Sequence, residues 1–326
     1  MNRRNFISTL AAFAAASAMP SAHSASGKLP SGPIRIIVGF PAGGGTDILA
    51  RIVANQLNKL WGVPVVVENK AGAAGLIAAR EVARAAPDGK TLMMGHINAL
   101  GILPALNPRL GFDAEKDFTA VALVGQTPQV LVANPKAVKA VADLVKLCKS
   151  KPGEVTFGSS GIGSAQHLAL ALFEQTAGVS ALHIPYKGAA PLMTDLVGGQ
   201  IEYAFEGMTT AAPFIKSGKV QVLAQTGTKR AKSFSDVPTV AESGFPDFNA
   251  SIWFGLVGPG QMPSTIVSQM NSDVNKVLAM PEVISQLEQF GAEGGGGTAE
   301  SFESYMREER KKWAQLIKAR AITLEN

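Results

Sequence analysis

Two long apolar, β-rich segments, residues 118–134 and 250–258, split this chain into blocks in which strand and helix alternate. In the first block, residues 34–38 form a short apolar strand. Ile48, Leu49, Ile52, Val53 and Leu57 then fall on one helical face. Strands at 63–67 and 91–94 follow, around a helix over 76–86 that ends at the turn signal Pro87-Asp88-Gly89. The order βαβαβ predicts a parallel sheet with right-handed crossovers. After residue 134 the alternation restarts, with strands at 155–158, 181–185, 201–205 and 220–223 separated by helices. Helices over 263–279, 281–290 and 298–320 close the chain.

This pattern predicts an α/β fold of two lobes, each a mainly parallel sheet flanked by helices, with a ligand cleft between them. Residues 27–125 and 254–326 make the first lobe, and residues 126–253 make the second. Strand C-terminal loops from both lobes would face the cleft. A single large doubly wound sheet is the alternative, but both crossover segments are long for single strands.

Residues 1–26 stand apart. Arg3 and Arg4 precede an apolar, alanine-rich run from residue 6 to residue 19, and small residues follow at 21–26. That is the layout of a secretory signal, too short for a membrane span, so a periplasmic location is expected. The paired arginines suggest the twin-arginine route, although ordinary secretory signals also begin with basic residues. The chain of 326 residues carries a net charge of +5, and loss of Arg3 and Arg4 leaves +3. The positive charges are scattered, which argues against nucleic acid as a partner. Cys148 is the only cysteine, which excludes an internal disulfide. The four histidines, His23, His96, His167 and His183, are too dispersed to suggest a metal site.

Two glycine loops carry the functional signal. The first, Gly39-Phe40-Pro41-Ala42-Gly43-Gly44-Gly45-Thr46-Asp47, leaves a strand and enters a helix. Three consecutive glycines let a ligand approach the backbone, and a helix N-terminus favours an anion. Thr46 or Asp47 would serve as the helix N-cap. The second, Gly158-Ser159-Ser160-Gly161-Ile162-Gly163-Ser164, repeats that arrangement before a helix carrying His167. It lacks the spacing of a dinucleotide fingerprint, and the first loop lacks the Gly-Lys-Ser/Thr of a phosphate loop. Each loop also has a plain structural reading, a tight turn in the first and a Ser164 helix cap in the second.

These loops stand in a longer ordered series. The segments are Val67-Glu68-Asn69-Lys70-Ala71-Gly72-Ala73-Ala74-Gly75, Ala86-Pro87-Asp88-Gly89-Lys90-Thr91-Leu92, His183-Ile184-Pro185-Tyr186-Lys187-Gly188, Gly198-Gly199-Gln200, Asp236-Val237-Pro238-Thr239-Val240-Ala241-Glu242 and Trp253-Phe254-Gly255. In this the chain resembles the substrate-binding receptors of tripartite tricarboxylate transporters, the Bug family of exported solute-binding proteins. The resemblance implies a periplasmic-binding-protein-like fold that closes on a small organic acid in Venus-flytrap fashion. It implies no catalysis, no cofactor and no metal. Membrane transporter subunits or a sensor kinase are the implied partners, and the receptor is expected to be a monomer.

Carried onto this chain, the resemblance makes Phe40, Ala42, Gly43, Gly44 and Asp47 the ligand-binding residues of the first lobe. Phe40 would be an apolar wall, the glycine N–H groups would bind oxygen, and Asp47 would cap the helix and order water. The second lobe would contribute Ser159, Ser160, Gly161, Ser164, His167, Tyr186, Lys187 and Glu206. Specificity would lie in residues 95–99 and 206–209, where relatives often have an aspartate at the position of Glu206. The rival reading is an exported serine hydrolase using Ser164 and His167, which are three residues apart on one helix. A Gly-x-Ser-x-Gly elbow is missing from the sequence.

Overall fold

The computed structural model describes residues 29–324, so the expected export signal lies outside the described residues. The first block contains β1 (Ile34–Val38), α1 (Gly45–Trp61), β2 (Val65–Asn69), α2 (Leu76–Ala83), β3 (Thr91–His96) and the short α3 (Leu103–Leu106). Strand β4 (Phe118–Thr127) ends at Pro128, and β5 (Gln129–Ala133) begins directly after it. Proline supplies no ladder N–H, which explains why one apolar run becomes two strands. The second block runs α4 (Val141–Ser150), β6 (Thr156–Ser159), α5 (Ala165–Ala177), β7 (Leu182–Pro185), α6 (Ala189–Gly198), β8 (Tyr203–Gly207), α7 (Met208–Lys216) and β9 (Gln221–Gln225). The chain closes with β10 (Ile252–Pro259), α8 (Ser264–Leu278), α9 (Pro281–Gln289) and α10 (Ala299–Ala319).

The strands form two five-stranded sheets, ordered β2-β1-β3-β10-β4 and β7-β6-β8-β5-β9. In the first sheet β1 pairs parallel with β2 and β3, while β10 runs antiparallel to both β3 and β4. In the second, β6 pairs parallel with β7 and β8, and β5 is antiparallel to β8 and β9. Four strands of each sheet therefore point one way. The reversed strand is the one on which the chain arrives from the other sheet, β5 going out and β10 coming back. The molecule is a two-lobed α/β fold, with the loops after β1, β6 and β8 gathered between the lobes.

Packing follows the sequence pattern. Along α1, Leu49, Ile52, Val53 and Leu57 are buried at helical spacing. The second sheet buries an aromatic cluster in which the Phe157 ring lies 5.2 Å from Tyr203 and 6.1 Å from Phe205. Helix α10 buries Phe302, Met306, Trp313 and Leu316. It also ties the lobes together: Arg320 meets Glu174 at 2.6 Å, and Lys312 Nζ donates to the Asn249 carbonyl at 2.7 Å. Cys148 is buried and its thiol is pushed up to about 11, as suits an inert packing residue. Among the described residues no helix is long and apolar enough to cross a membrane.

Candidate functional site

The first glycine loop is held in place by backbone-on-backbone packing. A Cβ on Gly39 would lie 2.7 Å from the Gly75 Cα, so the β1–α1 loop and the 72–75 segment can meet only as glycines. Beside that contact, Ala73 and Ala74 both hold positive φ, 47° and 55°. Such conformations are costly for alanine and tend to collect at binding sites.

Helix α1 begins at Gly45 with Gly44 as its N-cap, which corrects the expectation that Thr46 or Asp47 would cap it. Asp47 instead reaches back from the first turn. Its carboxylate accepts the Gly43 N–H at 2.9 Å, Arg51 Nε at 3.0 Å and Asn69 Nδ2 at 2.9 Å. Burial opposes the charge, but these three donors hold the carboxyl below the usual range. The Gly43 N–H is thus committed within the loop, and the Gly44 N–H faces the Pro41 carbonyl at 3.3 Å. The first-turn N–H groups of Gly45 and Thr46 have no intrahelical acceptor.

In the second loop Ser164 is the N-cap of α5, and its Oγ accepts the His167 N–H at 3.2 Å. His167 Nδ1 accepts the Gly163 N–H at 3.1 Å. Ser159 is buried, and its Oγ lies 2.6 Å from His183 Nε2. The Ser160 Oγ has no partner within the protein.

Between the loops lies a cavity of about 780 Å³. Of the residues singled out from the sequence, Phe40, Ala42, Gly43, Gly44, Ser160, Ser164 and Lys187 line it. Asp47, Ser159, Gly161, His167, Tyr186 and Glu206 do not. Asp47 and Ser159 are turned into the bonds that shape their loops. The Tyr186 hydroxyl donates to Asp195 at 2.8 Å, and Lys187 is exposed. Glu206 is buried behind the lining, where its Oε1 accepts from Gln166 Nε2 at 3.1 Å and from the Gly207 N–H at 2.7 Å. Its Oε2 is unpartnered, and burial pushes the carboxyl up to about 7.

The cavity also gathers residues that the loop motifs did not point to individually. Gly45, Thr46, Asn98, Gln166, Thr209 and Phe254 line it, as does His96. His96 sits 4.6 Å from the Phe40 ring and 5.3 Å from the Phe254 ring. Burial pushes its imidazole down to about 3, so it is neutral. Its Nδ1 accepts the Asn98 N–H at 3.1 Å, which assigns the proton to Nε2 and makes that atom a donor. Thr209, at the start of α7, donates to the Phe290 carbonyl of the other lobe at 2.9 Å. The N-termini of α1, α5, α6 and α7 all contribute to the cavity wall or lie next to it. The site therefore offers backbone donors and helix dipoles in an apolar, aromatic setting. Among the described residues no group of three metal-ligating side chains occurs.

The comparisons with known proteins agree with this geometry. The model of the tripartite tricarboxylate transporter family receptor matches residues 49–322. Protein BugT of Bordetella pertussis is 34% identical over 327 residues, covering 100% of both chains. Rpa4515 of R. palustris, solved with adipate, superposes with a TM-score of 0.82 at 32% identity, covering 90% of this chain and 99% of that one. MatC from Rhodopseudomonas palustris, solved with bound malate, gives 0.77 at 30% identity, covering 88% and 99%. The chain belongs to the tripartite tricarboxylate transporter receptor family of solute-binding proteins.

Proposed function

We propose that this receptor captures a small organic acid between its lobes in the periplasm and delivers it, without chemical change, to membrane transporter subunits or a sensor. The lobes would be residues 29–127 with 252–324, and residues 128–251, following the strands of each sheet. The ligand carboxylate would take the free N–H groups of Gly45 and Thr46 and the hydroxyl of Ser160, with His96 Nε2 as a further donor. Phe40 and Phe254 would cover the body of the acid. The observation that carries this reading is the unpartnered Ser160 Oγ at a cavity ringed by helix N-termini. Adipate and malate in the two solved relatives supply the class of ligand.

The hydrolase reading finds less support. Ser164 Oγ accepts a backbone N–H from His167, and the His167 imidazole is engaged with Gly163, so the two side chains do not form a nucleophile–base pair. The Ser159–His183 contact brings a hydroxyl to an imidazole, but Ser159 is fully buried and does not line the cavity.

Thermal shift with a panel of mono-, di- and tricarboxylates tests the proposal. An acid at 100 times its dissociation constant should add about 2.7 kcal/mol of stability and be recovered intact. Turnover of the acid, or a panel without any stabilising member, would overturn it.

A further inference from the structure

His167 and His183 are stacked, with ring centroids 4.0 Å apart and planes 3° from parallel. Neither ring lines the cavity, yet His167 holds one backbone position of the second glycine loop directly and His183 reaches another through the Ser159 hydroxyl. His183 Nε2 lies 2.6 Å from Ser159 Oγ, and that oxygen accepts the Gly161 N–H at 3.2 Å. His167 Nδ1 accepts the Gly163 N–H at 3.1 Å. Gly161 and Gly163 have φ of 126° and 74°, a backbone that needs fixing because glycine restrains it least. The cavity-lining residues Ser160, Ile162 and Ser164 alternate with these anchored positions.

We infer that His167 and His183 are positioning residues, a neutral stacked pair that sets the second glycine loop in its ligand-binding geometry. The inference rests on the reading that the cavity holds an acid. His167 must be unprotonated at Nδ1 to accept from Gly163, and two imidazolium rings at this separation would repel. Burial pushes both imidazoles down to about 4, and the neighbouring His183 ring lowers His167 further. Among the described residues neither imidazole forms an ion pair or a hydrogen bond with a carboxylate. A charged histidine would therefore have no counter-ion there. A loop held at two alternate amides has few conformations to lose on binding, which is how supporting residues raise affinity without contact.

The test compares His183→Phe, which keeps an aromatic ring and removes the bond to Ser159, with His183→Gln and His167→Asn, which keep a polar atom near the position of the lost nitrogen. Adipate affinity, melting temperature and amide hydrogen exchange at Gly161 and Gly163 are measured for each. His183→Phe should weaken adipate binding by up to about tenfold and speed exchange at Gly161, while His183→Gln restores most of both and His167→Asn keeps exchange at Gly163 close to that of the unaltered protein. Unchanged exchange at Gly161 in His183→Phe would overturn the inference, whether or not adipate binds. Failure of the unaltered protein to bind adipate, with exchange behaving as expected, would count against the choice of ligand and leave the positioning role standing. A melting temperature that falls equally in all three variants with affinity unchanged would reduce the pair to core packing.

Discussion

The Asp47 carboxylate accepts the backbone N–H of Gly43 at 2.9 Å, so an acid inside the first glycine loop organises the loop and does not line the cavity. Arg51 and Asn69 complete its shell. The negative charge beside the cavity is thereby compensated within the protein.

Replacing Asp47 by Ala should leave the Gly43 N–H and the Asn69 amide without their acceptor and release Arg51, which is already half exposed. A loss of about 1–3 kcal/mol is expected in urea unfolding, together with weaker acid binding from a disordered loop. Intact affinity in Asp47→Ala would show that the loop keeps its shape without this carboxylate.

Ser160 and Ser164 separate function from stability. Ser160→Ala removes an unpartnered hydroxyl, so stability should be unchanged or slightly higher while acid binding weakens by about 0.5–1.5 kcal/mol. Ser164→Ala removes the N-cap of α5 and should cost about 1 kcal/mol of stability. Calorimetric titration paired with thermal unfolding of both variants reads the contrast. Equal effects on binding and stability in the two would dissolve it.

The contact between Gly255 and Phe302 tests the packing of α10 on β10, one residue along from the cavity-lining Phe254. A Cβ at Gly255 would overlap the Phe302 ring, which is buried on α10. Gly255→Ala should destabilise by about 1–3 kcal/mol through overpacking, and Gly255→Ala with Phe302→Leu should recover part of that loss. Absence of any recovery in denaturant midpoints would place the strain elsewhere.

Acidification sets two groups of buried residues against each other. The folded-state value of His96 is depressed from 6.5 to about 3, so its contribution is present above pH 6.5 and is lost as pH falls toward 3. His167 and His183, depressed to about 4, act in the same sense. Glu206 is raised from 4.5 to about 7, so its contribution is present below pH 4.5 and is lost as pH rises through 7. Over the 1.5 units below pH 6.5, His96 alone accounts for roughly 2 kcal/mol, and three histidines outweigh one carboxyl. Stability in urea should therefore fall between about pH 6.5 and about pH 5, and Glu206→Gln should raise stability at about pH 8. A rise in stability on acidification would contradict this assignment of charge states.

Much of this architecture is legible in the residues. The strand–helix alternation, the long crossover segments and the two glycine loops point to the lobes and to the ends of β1 and β6. The finer geometry is not, because it depends on which hydrogen-bond partner wins. Asp47 and Ser159 sit in the loops by sequence, but Arg51, Asn69 and His183 draw their side chains away from the cavity. Glu206 stands where the resemblance implies a ligand contact, yet it lies behind Gln166 and does not line the cavity. His96, Thr209 and Phe254 fall within segments already marked for specificity or resemblance. Their meeting at one cavity depends on β10 returning antiparallel beside β3, which pairs Phe254 with His96. Residues 98–106 are helical although Gly101 and Pro104 are weak helix formers, so the sequence pattern gives little sign of this segment.

A crystal structure with the most stabilising acid of the panel tests the central claim most directly. A carboxylate oxygen within about 3 Å of the Gly45 or Thr46 N–H and of the Ser160 hydroxyl, with both lobes in contact with the acid, is the expected result. An acid held by Lys187 at the surface, or bound outside the cleft with those donors still free, would contradict it.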